Sequence, residues 1–218
     1  MSDNSAMRHP VVVAIDGPAG AGKSTVGRAL ADRLGVDYLD TGAMYRAMTF
    51  AVQHRGVAEG DLAEVAAMAS TVELSVDDGI VTVDGIDATA AIRGRDVTDG
   101  VSQVASNPTV REVLVAQQRR WVADHGGGVV EGRDIGSVVF PDARLKLYVT
   151  ASPRIRAERR VREIGGDIAE VEASIIARDR FDSSRDHSPL READGAIVVD
   201  TSGMSIDEVV DHIVGLMA

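Results

Sequence analysis

The feature that most constrains this chain is a glycine loop near its start, Gly17-Pro18-Ala19-Gly20-Ala21-Gly22-Lys23-Ser24. It fits G-x-x-x-x-G-K-[ST], the pattern of a phosphate-binding loop. Both flanks agree. Val11-Val12-Val13-Ala14-Ile15 is a β-branched apolar run that reads as a buried strand, and Thr25 to Leu34 reads as a helix stopped by Gly35. Strand, glycine loop and helix bring backbone N–H groups and the positive end of a helix to one point. Lys23 adds a charge for the terminal phosphates, and the Ser24 hydroxyl can ligate Mg2+. Lys23 and Lys146 are the only lysines, so a chance surface lysine in this slot is a poor alternative. The stretch from Gly17 to Thr25 is therefore expected to hold the phosphates of a nucleotide donor.

A buried strand feeding such a loop needs a parallel sheet around it. Val36–Leu39, Val129-Val130 with Glu131, Leu145–Val149 and Ala196–Val199 supply four more strands, interleaved with helical segments. Asp40-Thr41-Gly42 reads as a turn before a helix over Ala43–Arg55. Asp61-Leu62-Ala63-Glu64 opens a short helix to about Ala69. Asn107-Pro108 opens a helix to about Asp124, which Gly126-Gly127-Gly128 ends. Ser152-Pro153 opens another helix, a further one follows Gly165-Gly166, and Ser205-Ile206-Asp207-Glu208 is a capping box for the last. Between about 70 and 95 the period changes to two. Val72–Val76 and Ile80–Asp84 alternate around Asp77-Asp78-Gly79, a hairpin signal, and Ile86–Ala88 can add a third strand. The expected fold is α/β: a five-stranded parallel sheet with helices on both faces and a small antiparallel insert. Residues 1–9 read as a disordered tail.

Charge excludes some functions. The 218 residues carry a formal net charge of −11, which argues against a general nucleic-acid or anionic-membrane binder. The absence of cysteine excludes disulfides and thiolate metal sites. The N-terminal segment has no apolar signal core and no apolar run is long enough to span a bilayer, so a cytoplasmic protein is expected. An acidic surface without an apolar stripe makes a monomer the expectation.

Further candidates sit where strands end, since ligands of open parallel sheets bind at the carboxyl edge. Arg46, after the second strand, can grip a phosphate bidentately or can simply be a helix-surface arginine. Glu131-Gly132-Arg133-Asp134 places an arginine and two carboxylates at the same edge, with Glu131 where an acidic residue supports a metal near a phosphate loop. Nine of the 23 basic residues fall in 151–191: Arg154, Arg156, Arg159, Arg160, Arg162, Arg178, Arg180, Arg185 and Arg191. Arg156, Arg159 and Arg160 share a helical face, whereas Arg154 and Arg162 read as solvated. In an acidic chain this concentration suits an arginine-rich lid, about 153–168, that closes over a transferring phosphoryl group. The five histidines show no ligand spacing.

A GTP-dependent switch would need an N-K-x-D guanine reader, but the only asparagines, Asn4 and Asn107, are not followed by lysine. A small-molecule kinase fits the length, and its acceptor stays open on these observations.

Several separated motifs resemble the bacterial cytidylate kinases, a nucleoside monophosphate kinase family. They are Ile15-Asp16-Gly17-Pro18, Asp40-Thr41-Gly42-Ala43-Met44-Tyr45-Arg46, Ser102-Gln103-Val104-Ala105, Gly132-Arg133-Asp134-Ile135-Gly136, Val139-Phe140-Pro141-Asp142-Ala143, and Arg178-Asp179-Arg180 through Asp182 to Arg185. Glu131 stands where many relatives carry Asp. The resemblance implies transfer of the γ-phosphoryl group of ATP, with Mg2+, to CMP or dCMP. It implies that Ser102, Arg111 and Asp134 read cytosine, and that Thr41, Arg46, Arg133 and Arg185 surround the monophosphate. It places Arg178 and Asp182 at the sugar, and Arg156 and Arg160 of the lid near ATP, with Lys23, Arg133, Arg185, Arg156 and Arg160 serving catalysis. It also implies a phosphate-loop core over 10–40 and 126–218 and a monophosphate-binding region over 41–125.

Overall fold

The computed structural model describes residues 11–77, 79–185 and 188–217. The expected tail, residues 1–9, and Asp78 of the expected hairpin turn lie outside the described residues. In chain order the strands are β1 (Val11–Asp16), β2 (Tyr38–Asp40), β3 (Leu74–Asp77), β4 (Ile80–Val83), β5 (Ile86–Asp87), β6 (Gly127–Glu131), β7 (Leu145–Thr150) and β8 (Ile197–Asp200). The helices are α1 (Lys23–Leu34), α2 (Thr41–His54), α3 (Leu62–Ala69), α4 (Arg95–Val104), α5 (Pro108–His125), α6 (Pro153–Ile164), α7 (Ile168–Ser183) and α8 (Ile206–Gly215). Among the described residues no helix is long and apolar enough to cross a membrane.

Five strands make one parallel sheet in the order β2-β6-β1-β7-β8. Alternation along β1 divides the core between its faces. Val12 and Ala14 pack with Leu39, Val130 and buried residues of α2 and α5, a cluster that also takes in Val81 and Val83 of the insert. Val13 and Ile15 pack on the other face with Val26 and Leu30 of α1 and Val209, Val210 and Ile213 of α8. Each such valine, leucine or isoleucine side chain, taken from water, contributes about 1.5–3 kcal/mol. The insert is the expected antiparallel ribbon, β3-β4-β5, and it leans on the α2 side of the core as so small a sheet must. From β1 the chain passes to β2 on one side, whereas from β6 it crosses to β7 on the other. The connections diverge at β1, and a crevice opens at its carboxyl end.

Four local expectations shift, each for a physical reason. Strand β2 starts at Tyr38 rather than Val36 because the Val36 N–H is used by helix α1, bonding the Ala31 carbonyl at 3.1 Å across the left-handed Gly35. Asp40-Thr41-Gly42 is no turn: Asp40 accepts from the Ala43 N–H at 2.9 Å and caps α2, which begins at Thr41. Gly126 alone ends α5, whereas Gly127 and Gly128 belong to β6. A Cβ there would lie 2.6 Å from the Val11 carbonyl oxygen and 2.7 Å from that of Asp37 respectively. The sequence reading leaves 96–106 unassigned, because Asp96, Thr98, Asp99 and Gly100 are weak helix formers. The structure places α4 there, and its Val97, Val101 and Val104 are all buried at helical spacing.

Asn107 joins two elements. Its side-chain oxygen caps α5 by accepting from the Thr109 N–H at 3.0 Å, and its amide donates to the Leu62 carbonyl of α3 at 2.8 Å. Asn107→Ala should cost about 2 kcal/mol and Asn107→Asp, which keeps the cap, about half of that. Urea unfolding checks this, and a midpoint unchanged in the alanine variant would rule it out.

Candidate active site

The phosphate loop bridges β1 and α1. Gly22, left-handed at φ 89°, caps the helix without any side-chain bond, so the first helical N–H groups stay turned into the loop. A Cβ on Gly17 would lie 2.0 Å from the Val149 carbonyl oxygen, which excludes any other residue. Lys23 is buried and folds back so that Nζ donates to the Pro18 carbonyl at 3.0 Å. Two other segments hold the loop from outside. Arg156 of α6 donates to the Ala19 carbonyl at 3.0 Å and pairs with Asp179 of α7 at 2.7 Å. Thr201, just past β8, donates to the Ala21 carbonyl at 3.0 Å, and Arg159 donates to the Thr201 carbonyl at 2.8 Å.

Ser24 and Glu131 meet at the inner end of this loop, the Ser24 hydroxyl donating to Oε1 at 2.7 Å. The other carboxylate oxygen, Oε2, is buried and has no partner among the described residues. Burial first, and then Asp40, push the Glu131 carboxyl up, while burial and Arg133 pull the Lys23 ammonium down. A hydroxyl beside an under-used carboxylate, next to a phosphate loop, fits Mg2+ arriving with a triphosphate. That ion takes one or two protein ligands and completes its shell with phosphate and water.

Across the crevice, guanidinium groups crowd around one carboxylate. Asp182 of α7 is 1% exposed. Its Oδ2 accepts from Arg133 Nε at 3.2 Å, and its Oδ1 from Arg185 and from the Ser102 hydroxyl of α4. Arg178, one turn before Asp182, is pulled down to about 10 by burial and then by Arg133, against Asp182. Arg46 reaches from α2, donating to the Thr98 hydroxyl at 2.8 Å. Burial lowers it too, and the charges of Arg160, Arg133 and Arg93 add to that. Arg133 thus lies in the field of Arg46, Arg178 and Arg185. A cluster of this kind in an acidic chain is built to receive anions.

Beside it, Arg111 of α5 pairs with Asp134, both being buried, and its guanidinium lies 5.5 Å from the centre of the Tyr45 ring. Burial pushes the Asp134 carboxyl up and Arg111 opposes this. A guanidinium and a carboxylate side by side, with the Ser102 hydroxyl nearby through Asp182, offer both donors and acceptors to a planar ligand.

The expected site residues are brought together, and Thr41, Arg156 and Arg160 also bond to groups of the protein. Thr41 is buried and its hydroxyl donates to the Glu131 main-chain carbonyl at 2.7 Å, so here it holds the end of β6. Arg156 is sunk against the loop, whereas Arg160 is half-buried, pairs with Glu163 at 3.3 Å and lies in the field of Arg46. Arg154 is half exposed and pairs with Glu158, as a solvated position should. Arg159, on the face expected for the lid, bonds the loop instead, and Thr201 and Gln118 escaped the sequence reading of the site. Arg159 and Thr201 hold the loop. Gln118, one turn-pair along the α5 face from Arg111, is buried with neither amide atom partnered among the described residues. The legible signal for Thr201 was its position directly after the last strand, at the carboxyl edge.

With this geometry in place, comparison with known proteins is direct. The cytidylate kinase family model matches residues 13–218. The cytidylate kinase of Nocardia farcinica is 49% identical over 218 residues, covering 96% of this chain and 94% of that protein. That of Corynebacterium glutamicum is 46% identical, covering 95% and 94%. A bifunctional pantoate ligase/cytidylate kinase of Synechococcus sp. (strain WH7803) is 49% identical over 94% of this chain but 44% of its own length, so the chain spans less than half of that relative. Two solved structures share the fold at 15% identity. A shikimate kinase from Acinetobacter baumannii has a TM-score of 0.51, covering 96% of this chain and 94% of that one. A gluconokinase from Sinorhizobium meliloti has a TM-score of 0.50, covering 95% and 91%. A family model that matches nearly the whole chain, with relatives 46–49% identical over nearly their full length, shows that the chain belongs to the cytidylate kinase family.

Proposed function

We propose that this protein transfers the γ-phosphoryl group of ATP to CMP or dCMP, giving ADP and CDP or dCDP, in pyrimidine nucleotide metabolism. The observation that carries the reading is the group of Arg46, Arg133, Arg178 and Arg185 facing a phosphate loop beside the buried Arg111–Asp134 pair. A nucleoside monophosphate brings about −1.5 to −2 charge at neutral pH, which several guanidinium forks match. An oxygen of the acceptor phosphate attacks the γ-phosphorus in line, and the bond from that phosphorus to the β-bridging oxygen breaks. The attacking oxygen is largely deprotonated at neutral pH, so no general base is needed and catalysis is positioning with charge neutralisation. Lys23 and the loop N–H groups hold the donor phosphates. Ser24 and Glu131 would hold Mg2+, which would supply charge neutralisation for the terminal phosphates of the donor. Arg133, between donor and acceptor, takes up the charge that develops on the transferring group.

We assign Ser102, Arg111 and Asp134 to the cytosine edge, Arg46, Arg133 and Arg185 to the acceptor phosphate, and Arg178 and Asp182 to the sugar. Thr41 supports the phosphate end through Glu131. In this reading residues 41–125 bind the monophosphate, 10–40 and 126–218 form the core, and about 153–168 act as the lid. Because Arg156 and Arg159 already grip the loop carbonyls, closure would swing the outer part of α6, which carries Arg160, toward ATP. We take the enzyme to be a cytoplasmic monomer, consistent with its acidic surface; gel filtration showing a dimer would reject the second part.

A coupled ADP-release assay with ATP·Mg2+ and CMP, dCMP, UMP, AMP, GMP and shikimate tests the proposal. Turnover with CMP and dCMP alone is expected, whereas a preference for another acceptor would overturn the base assignment and leave the kinase. Lys23→Ala and Arg133→Ala should each lower kcat by at least about a hundredfold. Arg133→Ala should leave ATP affinity nearly intact in calorimetric titration, and normal CMP kinetics in either variant would remove that residue from the site. Arg178→Ala should raise KM by roughly tenfold and unequally for CMP and dCMP, whereas Asp182→Asn should also lower kcat because it frees Arg133 and Arg185. Equal losses for the two sugars in both variants would exclude the sugar assignment.

A further inference from the structure

Asp16 stands at the end of β1, one residue before the phosphate loop, and has no role in the scheme above. It is 3% exposed. Its Oδ1 accepts from the Ile135 N–H at 2.7 Å and its Oδ2 from the Gly136 N–H at 2.8 Å. These N–H groups open the helical turn Ile135–Val139, where the first donors have no partner within the turn. The carboxylate caps that turn from a different strand. Three residues earlier the same segment is tied to the same strand, the Gly132 N–H donating to the Ile15 carbonyl at 2.9 Å. Only Arg133 and Asp134 lie between the two attachments.

We propose that Asp16 is a positioning residue for the acceptor, fixing Arg133 and Asp134 at a set distance from the phosphate loop. The inference rests on the reading that these two residues meet the acceptor nucleotide. Two bonds to consecutive N–H groups define both place and tilt of the turn, as a single bond would not. Since the strand that carries Asp16 runs directly into Gly17, donor and acceptor contacts share one rigid origin. Alignment of the reacting oxygen with the γ-phosphorus depends on that registration, and a displacement of about 1 Å can cost a hundredfold in rate.

Asp16→Asn keeps the volume but offers one acceptor where two are used, and sets an amide donor against the other N–H. In this variant kcat/KM for CMP should fall by about a hundredfold, with KM for ATP nearly unchanged and the preference for CMP over UMP reduced. Residue-resolved hydrogen exchange should show faster exchange at Ile135 and Gly136 while the amides of β1 and α1 stay protected. A folded variant with unaltered CMP kinetics would overturn the proposal, as would equal losses for ATP and CMP with protection lost throughout. The native enzyme supplies a check that needs no variant: without nucleotide, Ile135 and Gly136 should exchange as slowly as β1, and rapid exchange there would also overturn it. Failure of the functional reading shows separately, as native enzyme that phosphorylates an acceptor other than CMP; the Asp16 proposal is then decided by the same exchange data and by kcat/KM for that acceptor.

Discussion

Guanidinium groups repel one another, and the crevice of this protein gathers several of them out of water around Asp182. Burial lowers the affinity of Arg46, Arg178 and Arg185 for their protons, and each lies in the field of other arginines. Unpaired charges in such a place would be expelled or would open the fold. Asp182 meets this by accepting from Arg133 and Arg185 at once, while Ser102 adds a neutral donor to the same carboxylate. The compensation is incomplete, since Arg178 Nε and Arg185 Nε are buried without partners among the described residues. Positive charge is thus left over in the cluster, and in the proposed reading the acceptor nucleotide would meet it, so one residue, Asp182, both holds the cluster together and leaves it receptive.

The two ends of the crevice depend on the end of β1 in different ways. On the donor side the chain turns through Gly17 against Val149, and the loop that follows is held by Arg156 and Arg159 of α6 and by Thr201 after β8. On the acceptor side Ile15 and Asp16 hold the segment from Gly132 to Gly136. Both sets of contacts end on backbone groups of the segment they hold, so they do not use the side chains of that segment. In the proposed reading this leaves Lys23, Arg133 and the Arg111–Asp134 pair to meet ligands.

Much of this was legible in order along the chain. The loop from Gly17 to Ser24, the strand before it and the helix after it follow from local pattern, and so do the caps at Asn107, Ser152 and Ser205. Less legible were elements whose local preference is weak. Helix α4 carries aspartates and a glycine and exists because Val101 and Val104 find a core to enter and Val97 is buried beside them. Gly127 and Gly128 look like a helix terminator, yet they are strand residues because neighbouring backbones approach too closely for a Cβ. The arginine-rich segment was visible as composition, but not its partners: Arg156 lies buried against the loop, and Arg160, four residues on, is half-buried beside Glu163.

By itself the sequence determined the phosphate loop, the α/β class, the antiparallel insert and the family, because these rest on short-range pattern and on motifs whose residues are contiguous. Only the tertiary structure decided the strand order, the gathering of Arg46, Arg133, Arg178 and Arg185 around one crevice, and the partners of Asp182 and Asp16. Such contacts are remote in the chain: the bond between Asp16 and Gly136 spans 120 positions. They depend on which strands pair and which faces are buried, quantities that no local spacing encodes.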